Sequence, residues 1–181
     1  RKGRGGDHDP IDILMRRSTD GGETWSEPAC VADHREFPEP TMNNFVCLPD
    51  RDTGELHGLF CNLYHRAYHI VSHDDGQTWS EPEDITQVFE AFRPEYNWTI
   101  CAIGPGHAIQ LANGRLFTGI WLSTGENFHL PNRAGTIYSD DHGKTWHAGG
   151  LVPDPFGSNN ETTPLELADG RVMLNIRMHN D

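Results

Sequence analysis

The sequence predicts an all-β chain built from repeated, blade-like units. Three observations carry that expectation. The octapeptide Ser-x-Asp-x-Gly-x-Thr-Trp occurs three times, at residues 18–25, 72–79 and 139–146. Its starts lie 54 and 67 residues apart, and periods near 50 mark propellers and related arrays. Between the copies run short segments rich in β-branched and large apolar residues, bounded by turn formers, with no long helical period among them.

Taken in order, the expected strands are IDILMRRS at 11–18, FVCLP at 45–49, LHGLFCNLY at 56–64 and YHIVSHD at 68–74. HAIQLA at 107–112, RLFTGIWLS at 115–123, GTIYSDD at 135–141, PLELA at 164–168 and RVMLNIRM at 171–178 follow. Asn113-Gly114 and Asp169-Gly170 each separate two such runs, which predicts two-residue hairpin turns with positive φ at both positions. Each octapeptide reads as a turn between two strands. Its Ser and Asp bond nearby amides, its Gly opens a backbone region closed to other residues, and its Trp covers the turn. A calcium loop would need more carboxylates per copy and a fixed later acid, and neither recurs.

The chain has 181 residues, 14 Lys+Arg and 27 Asp+Glu, for a net charge of −13. That balance argues against nucleic acid or an anionic membrane surface, which reward clustered Lys and Arg. No apolar run approaches the roughly 20 residues that span a bilayer. The first residue is not Met, and the last lie inside an expected strand, so the chain reads as a piece of a longer protein. Cys30, Cys47, Cys61 and Cys101 form no CxxC pair and read as core thiols rather than zinc ligands. His65 and His69 are four apart, but within a strand pattern that spacing makes no metal site. No metal or cofactor is expected. Asn97 and Asn160 open glycosylation sequons by pattern only.

The three octapeptides resemble the Asp-box (BNR) repeats of the exo-α-sialidase (neuraminidase) superfamily. The resemblance implies a six-bladed β-propeller of four-stranded antiparallel blades. About three blades would be present, in one partial domain over residues 1–181. It also implies a secreted or periplasmic protein.

Two further stretches resemble that family. In RKGRGGDHDPIDILMRRSTDGG, Asp7 matches the general acid/base that precedes the first Asp-box strand. On residue type alone, Asp9 and Asp12 compete with it. In NNETTPLELADGRVMLNIR, Glu161 matches the glutamate that activates a tyrosine nucleophile. Arg177 matches one of three arginines that clamp the sialic acid carboxylate. Weaker matches put Arg1 and Asn44 on the sugar, although Phe45 stands where the family has Pro. The nucleophilic Tyr and the other two arginines of the clamp would lie outside this chain.

The chemistry suits these residue types. A guanidinium binds a carboxylate through a planar fork that Lys cannot imitate. A carboxylate nucleophile would be repelled by the substrate's own charge, whereas a tyrosine avoids much of that repulsion; sialidases are known as the tyrosine exception among glycosidases. A two-residue turn at Asp169-Gly170 would set Arg177 opposite Thr162, beside Glu161. The resemblance thus implies a retaining exo-α-sialidase acting on sialylated glycans. The alternatives are a non-catalytic propeller that binds glycans, or a glycosidase for another acidic sugar.

Overall fold

The computed structural model describes residues 6–127, 129–153 and 159–178. Within them, thirteen strands form four antiparallel sheets. The first pairs β1 (Ile13–Met15) with β2 (Ala29–Ala32). The second runs in the order β3 (Met42–Pro49), β4 (Leu56–Asn62), β5 (Arg66–Ser72) and β6 (Glu83–Asp84). The third orders β7 (Ile100–Ile103), β9 (Leu116–Asn127), β10 (Leu130–Ser139) and β11 (His147–Leu151), with β8 (Ile109–Gln110) also on β9. The fourth pairs β12 (Asn159–Glu166) with β13 (Val172–Met178). Two short 3-10 segments, His34–Glu36 and Thr86–Phe92, are the helical pieces among the described residues.

Strand β4 shows how one sequence serves two neighbours. All of it but Leu56 is buried. Leu59 and Cys61 join a cluster with Ile103, Leu116, Ile120 and Leu122 of the third sheet and Phe89 of the second 3-10 segment. Phe60, on the opposite face, joins Ala32, Met42, Tyr68 and Ile70 next to the first sheet. A strand covered on both faces reads as a continuous apolar run, and each fully buried Leu or Phe contributes about 1.5–3 kcal/mol.

Each octapeptide joins the last two strands of its sheet: β1 to β2, β5 to β6, β10 to β11. The three turns share one hydrogen-bond pattern. In the second copy, Ser72 Oγ donates to Asp74 Oδ1 at 2.9 Å and accepts from Gly76 N at 2.8 Å. Asp74 accepts from Thr78 N at 2.8 Å and from Thr78 Oγ1 at 2.7 Å. Ser18–Asp20–Thr24 and Ser139–Asp141–Thr145 repeat it. The Asp oxygens are thus occupied inside the turn. Both residues ahead of the sixth position adopt positive φ: Gly21 and Gly22, Asp75 and Gly76, His142 and Gly143.

Three expectations need correction. Both Gly-containing hairpins are three-residue loops. Leu111 N bonds Arg115 O, Leu167 N bonds Arg171 O, and positive φ falls on Gly114 and Gly170 but not on Asn113 or Asp169. That is the turn with a left-handed glycine after it, not the two-residue turn. Cys61 and Cys101 are buried free thiols, but Cys30 and Cys47 are exposed. Two of the tryptophans reach beyond their own turns. Trp79 meets Phe45 edge-on at 6.1 Å, and Trp146 meets His69 of β5 at 5.5 Å. Trp25 belongs to the first sheet, which has no preceding neighbour among the described residues, and it is 59% exposed. Among the described residues no helix is long and apolar enough to cross a membrane.

Candidate active site

The meander puts the Asp boxes at one end of the sheets. The β4–β5 turn, the β9–β10 turn, the start of β12 and the end of β13 lie at the other. That second end gathers the candidate residues.

The loop bearing Asp7 is pinned there by backbone bonds. Ile11 N bonds Pro40 O and Met42 N bonds Ile11 O, each at 3.0 Å, and Thr41 Oγ1 donates to Asp9 O at 2.8 Å. Asp9 turns its carboxylate back onto Gly6 N at 2.8 Å. Asp12 accepts from His34 N at 2.9 Å and lies 2.6 Å from His34 Nδ1; those bonds hold its carboxyl below the usual range. The two competitors are therefore engaged in holding the loop. Asp7 is exposed.

Glu161 and Arg177 meet directly, with Arg177 Nη1 donating to Glu161 Oε2 at 2.8 Å. The route differs from the sequence expectation. The three-residue turn shifts the register by one, so Thr162 faces Ile176. The same register sets Glu161 level with Arg177, and a bulge between Thr162 and Asn159 follows. The two side chains are 38% and 56% exposed, which leaves the rest of the guanidinium fork open to a ligand carboxylate. Asn160 is buried and accepts Glu161 N through its Oδ1 at 2.7 Å, so its sequon cannot carry a glycan.

Asn44 lies at a register break in β3 with φ of 56°. Left-handed backbone is uncommon for a non-glycine residue, and Asn is among those that adopt it most readily. Arg1 lies outside the described residues.

Tyr64 was not anticipated. It follows Leu63, and both have positive φ, 60° and 48°; His65 N bonds Asn62 O across them at 3.1 Å. The Tyr64 ring packs 5.6 Å from Trp121 and 5.1 Å from His129. With His8, Leu63, His65, Ile100 and His129 it lines a pocket of about 250 Å³. Burial raises the Tyr64 hydroxyl above its ordinary pKa. The nearby Asn43 amide opposes that shift, and the charges of Asp7 and Glu161 add to it. Both carboxylates therefore bear on one tyrosine, although they lie 154 positions apart in the chain.

Among the described residues, two groups bring three possible metal-ligand atoms within 4.8 Å: Asp12, Asp33 and His34, and Asp50, Asp52 and His142. Both are closed by internal bonds. Asp33 holds Arg35, and Asp50 accepts from Gln110 Nε2, from the amides of Asp52 and Thr53, and from His142.

Residues 2–181 match the family described as BNR repeat-like domain. The chain belongs to that family. Among relatives, this BNR repeat-like chain is 33% identical over 196 aligned positions to Sialidase of Micromonospora viridifaciens, covering 93% of the chain and 28% of the relative. It is 42% identical over 171 positions to Sialidase-3 of Homo sapiens, covering 81% of the chain and 40% of the relative. A solved Hadza microbial sialidase superposes with a TM-score of 0.79 at 26% identity, covering 94% of this chain and 36% of that one. The sheets thus follow the sialidase arrangement, and the chain spans well under half the length of these relatives.

Proposed function

We propose that this chain supplies part of the active site of a retaining exo-α-sialidase. The observation that carries the reading is the Glu161–Arg177 ion pair at the open hairpin end, on the same side as Asp7 and its pinned loop. Asp7 protonates the leaving oxygen and then deprotonates water. Glu161 activates a tyrosine nucleophile carried outside this chain. Arg177 receives the substrate carboxylate, and Asn44 and Arg1 contact the sugar. None of these roles needs a metal or cofactor. The relatives named sialidase support the same reading, and the whole protein is then a six-bladed propeller of which this chain forms about half.

Kinetics of the full-length protein on natural and activated aryl sialosides test it. Asp7→Ala loses about 10²–10⁴-fold on natural substrates and far less on activated ones, which leave without protonation. Glu161→Ala slows both classes. Arg177→Lys mainly raises KM, because a point charge replaces a planar fork. Wild-type rates in all three variants would overturn the catalytic reading in favour of a glycan-binding propeller. Turnover restricted to another carboxylated sugar would move the substrate and keep the machinery.

A further inference from the structure

Two histidines that the proposed chemistry does not use meet at the Asp-box end, between the second and third sheets. His57 on β4 is 0% exposed and His69 on β5 is 4% exposed. Their rings stack at 5.2 Å with 14° between planes, and His57 Nδ1 lies 3.0 Å from His69 Nε2. The third octapeptide turn sits on this pair. A Cβ on Gly143 would fall 2.6 Å from His57 Cε1 and 3.4 Å from His69 Cε1, and Trp146 closes on His69.

The charged neighbours come from each packed element. Glu55 Oε2, ahead of β4, lies 3.9 Å from His57 Nε2, and Glu55 Oε1 lies 3.1 Å from His73 Nδ1. On β6, Glu83 Oε2 lies 4.0 Å from His69 Nδ1. In the third turn, His142 holds Asp50 at 2.7 Å. Burial is the largest influence on both rings and lowers both. Glu55 and Asp50 oppose it at His57, while His142 and His73 reinforce it; His69 is driven down to about 4.

A hydrogen bond between two imidazole nitrogens needs one proton, which the neutral pair already holds. One further proton can go to an outer nitrogen, toward Glu55 or Glu83, and the bond survives. A second would set two N–H groups head to head at 3.0 Å. We propose that His57 and His69 form an acid-sensitive latch that holds the third Asp-box turn against the second sheet. Neutral, the pair is closed; proton uptake favours release of the Gly143–Trp146 segment. The latch is independent of the sialidase reading.

The sign follows from linkage. An exposed histidine titrates near about 6.5. Between that value and the lower one of the closed pair, the open form binds more protons, so opening grows as pH falls. The growth is about tenfold per pH unit for each proton taken up. Above about 6.5 the pair contributes no pH dependence. Asp141 cannot supply the effect near pH 5. Burial raises its pKa, but the Thr145 hydroxyl and amide and the Ser139 hydroxyl outweigh that and hold it at about 2.

Amide hydrogen exchange of the full-length protein between pH 7 and 5, corrected for intrinsic exchange chemistry, tests the latch. The expected result is at least tenfold more opening at the Gly143 and Thr145 amides per unit below pH 6, with the Gly22 and Thr24 amides of the first turn unchanged. His57→Gln/His69→Gln should abolish that dependence, while His142→Gln and His147→Gln keep it. Equal pH dependence at the first and third turns, or an unaltered dependence in the double variant, overturns the proposal. If the double variant does not fold, ring titration of the wild-type protein by NMR decides. His57 and His69 must remain neutral as pH falls below about 6.5, and titration at that ordinary histidine value defeats the latch.

Discussion

Gly143 and Gly21 occupy adjacent places in two copies of one turn and have nearly the same backbone, φ of 76° and 74°. Their surroundings differ. A Cβ on Gly21 meets nothing within 4 Å, whereas one on Gly143 strikes the His57 ring. Gly21→Ala should therefore cost only left-handed strain, roughly 1–2 kcal/mol. Gly143→Ala should add about 1–3 kcal/mol of overpacking. Urea unfolding of the two variants checks the difference, and equal costs would mean that the histidine pair yields freely. The Ser, Asp and Gly roles in the octapeptide were legible in the sequence because each is local to the turn. The further packing of Trp79 and Trp146 was not, because those partners are on other strands. Asp74 also shows the turn's pH sign. The Thr78 amide and hydroxyl hold it at about 2, so its contribution is present above the ordinary carboxylate pKa and is lost as pH falls through about 2.

Among the elements, most strands with dense apolar patterns were legible, Ile100–Ile103 excepted, and the short ones held by backbone pairing were not. Ala29–Ala32, Glu83–Asp84 and His147–Leu151 each follow an octapeptide, are short and mostly unburied, and carry no period that marks them. The turn at Leu63-Tyr64 was hidden for the opposite reason. It has neither Gly nor Pro, so the run LHGLFCNLY reads straight through it, and the pocket beneath was missed with it. The hairpin of Glu161 and Arg177 was recovered despite a wrong turn type, since the one-residue slip moves Arg177 from opposite Thr162 to opposite its neighbour Glu161. That hairpin is seated through Gly119 of β9, where an added Cβ would lie 1.6 Å from Thr162 Oγ1 and 2.9 Å from its Cβ. Gly119→Ala should displace β12 and lower stability and turnover together. Adding Thr162→Gly should recover part of the loss. The double-mutant cycle should show a coupling of about 0.5–3 kcal/mol, and strict additivity would mean that the contact does not seat the strand.

At the scale of the whole molecule, the second and third sheets have four and five strands, and the other two sheets have two strands each among the described residues. Family resemblance could anticipate that blades repeat, but not how the outermost pairs would be covered. Strand β13 pairs only with β12 among the described residues, so one side of its backbone is open. Leu165 and Met173 on that pair are 49% and 46% exposed, and Val172 and Met178 are 39% and 43% exposed. An open strand edge beside exposed apolar side chains is a template for pairing with another chain. The 181-residue chain expressed alone should therefore self-associate through β13, and it should not turn over a fluorogenic sialoside, because its proposed nucleophile lies elsewhere in the protein. Sedimentation velocity over a concentration series checks the first outcome and a turnover assay the second. Replacing Met173 and Met178 by Lys should shift the chain toward monomer without restoring turnover, since charges on an edge block pairing but complete no site. A monodisperse, active wild-type fragment would show instead that these two-strand sheets close against each other and carry a nucleophile of their own, with Tyr64 the tyrosine to substitute first.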